Sequence, residues 1–334
     1  MIKLLTYPEI DRSDWQALID HSPYATWFQT KEAYEFYAAN PTEMTPFAYS
    51  VKRDEKLRAL CVGYITQEQN ALRQLFTRRA IIIGGPVIAD DATQQDVKHL
   101  LCAIKTGLQS QAIYIETRNF HDYSSWKDVF FECGFDYIPH LNFHVDCTKE
   151  NILESMSESR RRQIKKALKN GVEIVEATSD EHVQDFYLIL EGLYHKKVKT
   201  PLFPLSFFMT FYHQHSGKYL LVKYNDKIIG GIMCPILERN TIYEWFVCGL
   251  DDMYKNLYPS VMATYAAIEF ANQHNILLFD FMGAGKPDEA YGVRDFKARF
   301  GGEQVEYGRF LCICKSLLYW IGKNGVKLLR KVKV

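Results

Sequence analysis

Apolar and polar positions alternate along this chain with two distinct periods. Period-two stretches, read as strands, lie at 51–59, 112–116, 222–237 and 241–247, each bounded by turn residues. In the last of these, Thr241-Ile242-Tyr243-Glu244-Trp245-Phe246-Val247, alternation places Glu244 and Phe246 on one face and Tyr243 and Trp245 on the other. Helical spacing marks a segment opening at Trp15 and others over 31–39, 94–108, 155–170, 181–192 and 259–273. Near the end, Ile276, Leu277, Leu278, Phe279 and Phe281 form a short apolar run around one acid, Asp280, the pattern of a strand buried on both faces.

These elements occur twice. Val51-Lys52-Arg53-Asp54-Glu55-Lys56-Leu57-Arg58-Ala59 can be laid over Val222-Lys223-Tyr224-Asn225-Asp226-Lys227-Ile228-Ile229-Gly230, a strand, an acidic turn and a returning strand in each. Asp90-Asp91, a helix and a strand ending in Glu116 are matched by Asp251-Asp252, a helix and a strand ending in Asp280. The segment 127–134 then falls on 294–301, with Phe130 where the second copy has Lys297. Duplication of one α/β unit follows, and the cation of the second copy places any chemistry there. The expected division is 1–145 for the first, non-catalytic copy and 146–310 for the second, catalytic copy, with a helix in 311–334 packing back on the first through Leu317, Trp320 and Ile321.

After the run to Phe281, Gly283 and Gly285 break the strand and a polar loop follows. Tyr291-Gly292-Val293-Arg294-Asp295-Phe296-Lys297-Ala298-Arg299-Phe300 then reads as a short helix stopped by Gly301-Gly302. Phe296 and Phe300 share its inner face, and Arg294 and Lys297, three apart, can point to one place beside the strand end. A carboxylate in a central strand is costly unless paired, so Glu244 and Asp280 are candidates for a polar patch beside Lys297.

A chain of 334 residues, 47% hydrophobic and 24% charged, is that of a globular protein of about two domains. Net charge is zero, split as 14 basic against 18 acidic residues over 1–145 and 26 against 22 thereafter. This mild asymmetry excludes a dedicated nucleic-acid binder but allows an anionic ligand in the second half. The amino terminus lacks the apolar core of a secretory signal, and eight scattered cysteines without a Cys-x-x-Cys read as reduced thiols, so a cytoplasmic location is expected. No metal or cofactor set emerges. Between Arg160 and Lys169, six cations (Arg160, Arg161, Arg162, Lys165, Lys166, Lys169) occur with no acid, either a solvated helix face or a phosphate contact, with Ser157 or Ser159 as cap.

Strand with Phe-Asp-Phe-x-Gly, polar loop, Tyr-Gly, then Phe-Lys-x-x-Phe-Gly resembles the C-terminal signature of the FemABX peptidyltransferases, and the duplicated order of elements resembles that family along essentially the whole chain. The resemblance implies an α/β (α+β) fold of two tandem GNAT-like acyltransferase domains with mixed, largely antiparallel sheets. It implies an N-acyltransferase that joins an aminoacyl group from aminoacyl-tRNA to an amine of a phosphorylated or lipid-linked cell-envelope (peptidoglycan) precursor. Lys297, Asp280 and Glu244 are then the candidate catalytic residues. Lys197, Lys199, Tyr243, Trp245, Tyr291, Arg294, Arg160, Arg161 and Arg162 are the candidate substrate-binding residues. The two lysines stand where the family has an arginine for acceptor phosphates.

Three readings remain open: transfer from aminoacyl-tRNA, transfer from acyl-coenzyme A or another thioester, and a non-catalytic binding protein of the same fold. Coenzyme A enzymes of this superfamily carry a glycine loop at a helix start, whereas this chain has Tyr254-Lys255-Asn256-Leu257-Tyr258-Pro259. No cofactor is therefore expected. The basic tail, with Lys315, Lys323, Lys327, Arg330, Lys331 and Lys333, adds an expected peripheral contact with the inner face of the membrane. Lys297→Ala is expected to spare the fold, because Phe296 and Phe300 carry the packing.

Overall fold

The computed structural model describes residues 2–68, 74 and 76–323. In chain order the strands and helices are β1 (Ile2–Thr6), α1 (Arg12–His21), α2 (Lys31–Ala38), β2 (Met44–Arg53), β3 (Lys56–Thr66), β4 (Arg79–Gly84), β5 (Val87–Ile88), α3 (Gln94–Leu108), β6 (Tyr114–Asn119), α4 (Lys127–Glu132), β7 (Asp136–Ile138) and β8 (Leu141–Asp146). There follow α5 (Glu158–Lys169), β9 (Glu173–Glu176), α6 (Asp180–Leu193), α7 (Leu205–His213), β10 (Gly217–Tyr224), β11 (Lys227–Leu237), β12 (Thr241–Tyr243), β13 (Phe246–Gly249), α8 (Pro259–Gln273), β14 (Leu278–Asp280), α9 (Gly292–Ala298), β15 (Glu303–Glu306) and β16 (Arg309–Ile313).

Two compact units divide them: the described part of Met1–Pro139 with Tyr307–Val334, and His140–Glu306. The first unit's sheet runs β1-β2-β3-β4-β6-β16-β7, with β5 on β3; the second runs β15-β8-β14-β12-β11-β10-β9, with β13 on β11. Each is antiparallel except for one central parallel pair, β4 with β6 and β12 with β14. A parallel pair needs a crossover, and a 15-residue helix supplies it in both units, α3 in the first and α8 in the second.

The duplication is visible at single residues. Asp54 and Glu55 turn β2 into β3 with φ of 52° and 60°, and Asn225 and Asp226 turn β10 into β11 with 47° and 60°. Both are two-residue turns of the left-handed kind, which match the twist of the flanking strands. A bulge follows at the same place in each hairpin, between Val51 and Lys52 and between Val222 and Lys223. The lysine after each bulge pairs with the turn acid three residues on, Lys52 with Glu55 at 3.4 Å and Lys223 with Asp226 at 2.9 Å.

The helices follow the apolar spacing. Thr93 and Asp96 form a capping box at α3, satisfying two backbone donors, while Asp96 also accepts from Arg53. α8 starts with proline, whose missing N–H costs nothing in the first turn, and is buried nearly all round, as suits a helix laid across a sheet. Small residues at Ala263, Ala266, Ala267 and Ala271 let it lie close against that sheet.

Two expectations need correction. The apolar run 276–281 gives a strand of only three residues, because its parallel pairing with β12 spans Leu278 to Asp280 alone, and Leu277, before that pairing begins, is 52% exposed. Leu317, Trp320 and Ile321, on the helical turns 316–323, are 70%, 64% and 39% exposed rather than packed inward. Tyr319 faces the first unit instead, edge-on to Tyr114 with ring centroids 5.5 Å apart. The tail cations Lys327, Arg330, Lys331 and Lys333 lie outside the described residues.

Where the second copy has Lys297, Phe130 of α4 is fully buried and stacked on Phe310, ring centroids 3.8 Å apart and planes 9° from parallel. It belongs to the core formed with α3, so this copy has spent the position on packing. Phe130→Ala should lower the unfolding free energy by about 3–5 kcal/mol. Urea denaturation monitored by circular dichroism checks this, and a loss below 1 kcal/mol would contradict the assignment of Phe130 to the core.

Candidate active site

The two parallel pairs differ in length. β4 and β6 pair over six residues, Arg79 to Gly84 with Tyr114 to Asn119, whereas β12 and β14 pair over three, Thr241 to Tyr243 with Leu278 to Asp280. One last bond, from Glu244 N to Asp280 O at 2.9 Å, closes the second pair before the strands part. The expected continuous strand 241–247 breaks there. Between the register pairs Ile236 with Ile242 and Met233 with Phe246, the chain of β12 and β13 holds one residue more than β11. Such a bulge re-aims side chains, so Glu244 turns inward while Trp245 packs on Phe207 and Phe211, ring centroids 5.4 and 6.0 Å away.

Glu244 meets Lys297 of α9. The ammonium lies 3.0 Å from Glu244 Oε1, donates to the carbonyls of Phe281 at 2.8 Å and Gly283 at 2.9 Å, and sits 5.1 Å from the Phe281 ring centroid. All three ammonium protons are thereby engaged. Both residues are deeply buried, Lys297 8% and Glu244 6% exposed, and Thr264 of α8 donates to the other carboxylate oxygen at 3.2 Å. Burial pushes the Glu244 carboxyl above its ordinary range, only partly offset by the Lys297 charge and the hydrogen bonds of Lys297 and Thr264. Lys297→Ala would strand a buried carboxylate, a loss of about 3–5 kcal/mol, so the expectation that it spares the fold is corrected.

The carbonyls that hold Lys297 come from a turn built by Asp280. Its carboxylate accepts from Met282 N at 2.6 Å and from Asn142 Nδ2 at 2.7 Å, while Asn142 Oδ1 accepts from Gly283 N at 2.7 Å. Met282 and Gly283 have φ of 57° and 129°, and the second value is one that glycine alone takes readily. Asp280 is therefore taken up by the turn and its neighbours on β8, while Glu244 pairs with Lys297. The second Asp280 oxygen is 3.1 Å from Nε2 of His144, the residue opposite it on β8. Burial raises the Asp280 carboxyl, but the His144 charge and three hydrogen bonds outweigh it and hold the group below its ordinary pKa. Burial lowers His144 in turn, and the Asp280 and Glu303 charges reverse this, so it titrates above its ordinary pKa. Sequence reasoning missed His144 and Asn142; their alternation with the apolar Leu141, Phe143 and Val145 on one strand was the available signal.

The other expected site residues are dispersed. Arg294 and Lys297 do not converge: the Arg294 guanidinium donates to the carbonyls of Ala284, Lys286 and Glu289, closing the loop before α9. Arg160 is buried, lies 4.5 and 4.3 Å from the Phe296 and Phe300 ring centroids, and donates to Phe296 O at 2.9 Å. Its pKa falls to about 10 through burial and the nearby Arg299. Arg160 thus anchors α5 on α9, whereas Arg162 is exposed and 3.6 Å from Glu158, and Arg161 is half-buried. Ser157 caps α5. Lys197 pairs with Asp252 at 3.1 Å, Lys199 and Tyr291 are exposed, and Tyr243 is buried in β12. Among the described residues no three His, Cys, Asp or Glu side chains form a metal site.

Protonated His144 is favoured in the folded state, so its contribution is complete below pH about 6.5 and is lost as pH rises through its higher folded pKa. Asp280 contributes above its unfolded value of 3.8 and loses that contribution as pH falls through its lower folded pKa. Urea denaturation between pH 6 and 9 should therefore show stability declining with pH, more steeply in the parent than in His144→Asn. Equal slopes would remove the dyad from the account.

A model of the FemAB family matches residues 224–324, a segment that includes Glu244, Asp280 and Lys297. The solved structure of FemX superposes with a TM-score of 0.73 at 14% identity, covering 96% of this chain and 99% of that one. L-PGS from Bacillus licheniformis follows at 0.58 and 11% identity, covering 94% and 96%. A tandem GNAT protein from the clavulanic acid biosynthesis pathway gives 0.57 and 9%, covering 94% and 99%. No curated protein matches the sequence. The resemblance first read from Phe296-Lys297 and its flanking motifs thus holds: the stretch that carries them matches the FemAB family, and the fold is one that FemX and a tandem GNAT protein share.

Proposed function

We propose that the second unit transfers an aminoacyl group from aminoacyl-tRNA to an amine of a cell-envelope precursor, with Lys297 and Glu244 as the reacting pair. The observation that carries this reading is the buried ion pair at the place where two parallel strands part, since ligands in α/β sheets enter where neighbouring strand ends diverge. The amine nitrogen attacks the ester carbonyl carbon, and negative charge builds on the carbonyl oxygen. Lys297, fixed by Glu244 and two carbonyls at a buried position, supplies positive potential there. As the new C–N bond forms, Glu244, whose pKa burial has raised, takes the amine proton; the C–O bond to the ribose then breaks, and the same proton passes from Glu244 to the leaving oxygen, which restores the carboxylate. Asp280 keeps the Met282–Gly283 turn in place and is a positioning residue in this scheme.

The start of α8 supports an aminoacyl-tRNA donor over coenzyme A. Asp251 accepts from both the backbone N–H and the hydroxyl of Ser260, so the chain's own carboxylate occupies the helix start where a diphosphate would bind. Pro259 offers no N–H, and any side chain at Gly249 would reach within 2.4 Å of Ser260 N, so β13 leaves no room for a phosphate between them. Peptidoglycan or lipid-linked precursors are the proposed acceptors, by the resemblance to the FemABX family. A cytoplasmic protein touching the membrane surface fits that role, and among the described residues no helix is long and apolar enough to cross a bilayer.

Labelled aminoacyl groups should move from charged tRNA to an amine acceptor, and acyl-coenzyme A offered in its place should give no product. Lys297→Ala, assayed under conditions where circular dichroism shows it folded, should lose about tenfold or more of the rate. Transfer from acyl-coenzyme A alone, or full activity without Lys297, would overturn the proposal.

A further inference from the structure

Two thiols that lie 31 residues apart in the chain meet in the first unit, and the transfer chemistry uses neither. Cys102 of α3 and Cys133, the residue that ends α4, have their sulfurs 3.3 Å apart, both as free thiols. The contact follows from how α4 lies on α3. Leu101, Ile104, Val129 and Phe130 fill one core, which fixes the two helices against each other. Beside that core, Lys98, Cys102 and Lys105 form one stripe of α3 at helical spacing. Lys98 pairs with Glu132 at 2.7 Å, and Lys105 donates to the carbonyl of Cys133 at 2.9 Å. Cys102 is left facing Cys133 between them, and the Cys133 thiol donates to the Lys98 carbonyl at 3.7 Å.

The two thiols differ in access. Of the eight cysteines, all among the described residues, Cys102 alone is exposed, whereas Cys133 is buried. Burial and the hydrogen bond with Cys102 push the Cys133 thiol up to about 12, against the opposing charges of Lys98 and Lys105. An oxidant therefore meets Cys102 first, and Cys133 stands behind it as the resolving thiol. A disulfide holds its sulfurs about 2.05 Å apart, so the pair needs a small approach. Cys133 can supply it: it closes α4, and Gly134 follows at φ 83°, so no further helical turn holds it.

We propose that Cys102 and Cys133 are a site of reversible oxidative modification, at which a peroxide forms a disulfide that locks α4 onto α3. The Cys102 sulfur attacks the peroxide O–O bond, giving a sulfenic acid and one water. Cys133 sulfur then attacks the Cys102 sulfur; the S–S bond forms, the S–O bond breaks, and the departing hydroxide takes the Cys133 proton as a second water. A small dithiol reverses the step by two exchanges and is itself oxidised to a disulfide. Brief treatment of the reduced full chain with hydrogen peroxide, then alkylation and non-reducing peptide mass spectrometry, tests this. A linked Cys102–Cys133 peptide pair should appear, with Tm raised by about 3 °C or more and both changes undone by dithiothreitol. Cys102→Ser, at an exposed position, should fold as the parent does and give neither change; Cys133→Ala should give no link. Stepwise oxidation of Cys102 to a sulfinic acid with Cys133 still alkylated, or a linked form no more stable than the reduced one, would overturn the proposal. So would an undiminished Tm rise in Cys102→Ser, which decides the matter should Cys133→Ala not fold.

Discussion

Burying a lysine and a glutamate side by side is unfavourable unless nearly every remaining hydrogen-bonding position is filled, and much of the second unit is arranged to fill them. The cost of desolvating both charges is several kcal/mol per ion, of which the direct attraction returns only part. Phe281 O and Gly283 O take the two remaining ammonium protons, and Thr264 supplies the other carboxylate oxygen. Those carbonyls face Lys297 because Asp280 and Asn142 tie the turn from below, and Asp280 is in turn held by His144. The bulge at Glu244, the short strand β14 and the left-handed Met282 are each unfavourable or irregular alone. Together they place one cation and one carboxylate at the parting of two strands.

The first unit shows the same frame without that constraint. Its parallel strands stay paired for twice as many residues, and a stacked phenylalanine stands where the lysine would be. The common hairpin, bulge and crossover helix mark the two units as copies of one design, whereas the buried pair of Lys297 and Glu244 belongs to the second. The first unit carries a different feature, the contact of Cys102 and Cys133 where α4 packs on α3.

Much of this was legible in the chain. The crossover helices fall where apolar spacing put them, 94–108 and 259–273, because α3 and α8 bury broad apolar faces and begin at clear signals, a capping box and a proline. The hairpins were legible because an acidic two-residue turn between alternating stretches has few other uses. The residue types predict a polar patch of Glu244 and Asp280 beside Lys297, since a lone charge in an apolar run needs a counterion, and of the two it is Glu244 that pairs with the lysine. The roles of Asp280 and Arg294 were not legible: both are consumed by backbone groups of loops, and period carries no information about which way a loop turns. Arg160 looked like a surface cation because its helix is strongly basic, but stacking on Phe296 and Phe300 is a tertiary contact invisible to spacing. His144 lay on a strand whose edges the sequence did not define.

If the buried pair is the reacting unit, its two members cannot contribute independently. The most direct measurement is a double-mutant cycle on the single-turnover transfer rate from charged tRNA, using Lys297→Ala, Glu244→Gln and the double variant. Joint action predicts that the double variant is no slower than the worse single variant, within about threefold, because either loss already dismantles the pair. Rates that fall multiplicatively, or a Glu244→Gln variant as fast as the parent, would contradict the assignment of this ion pair as the catalytic centre.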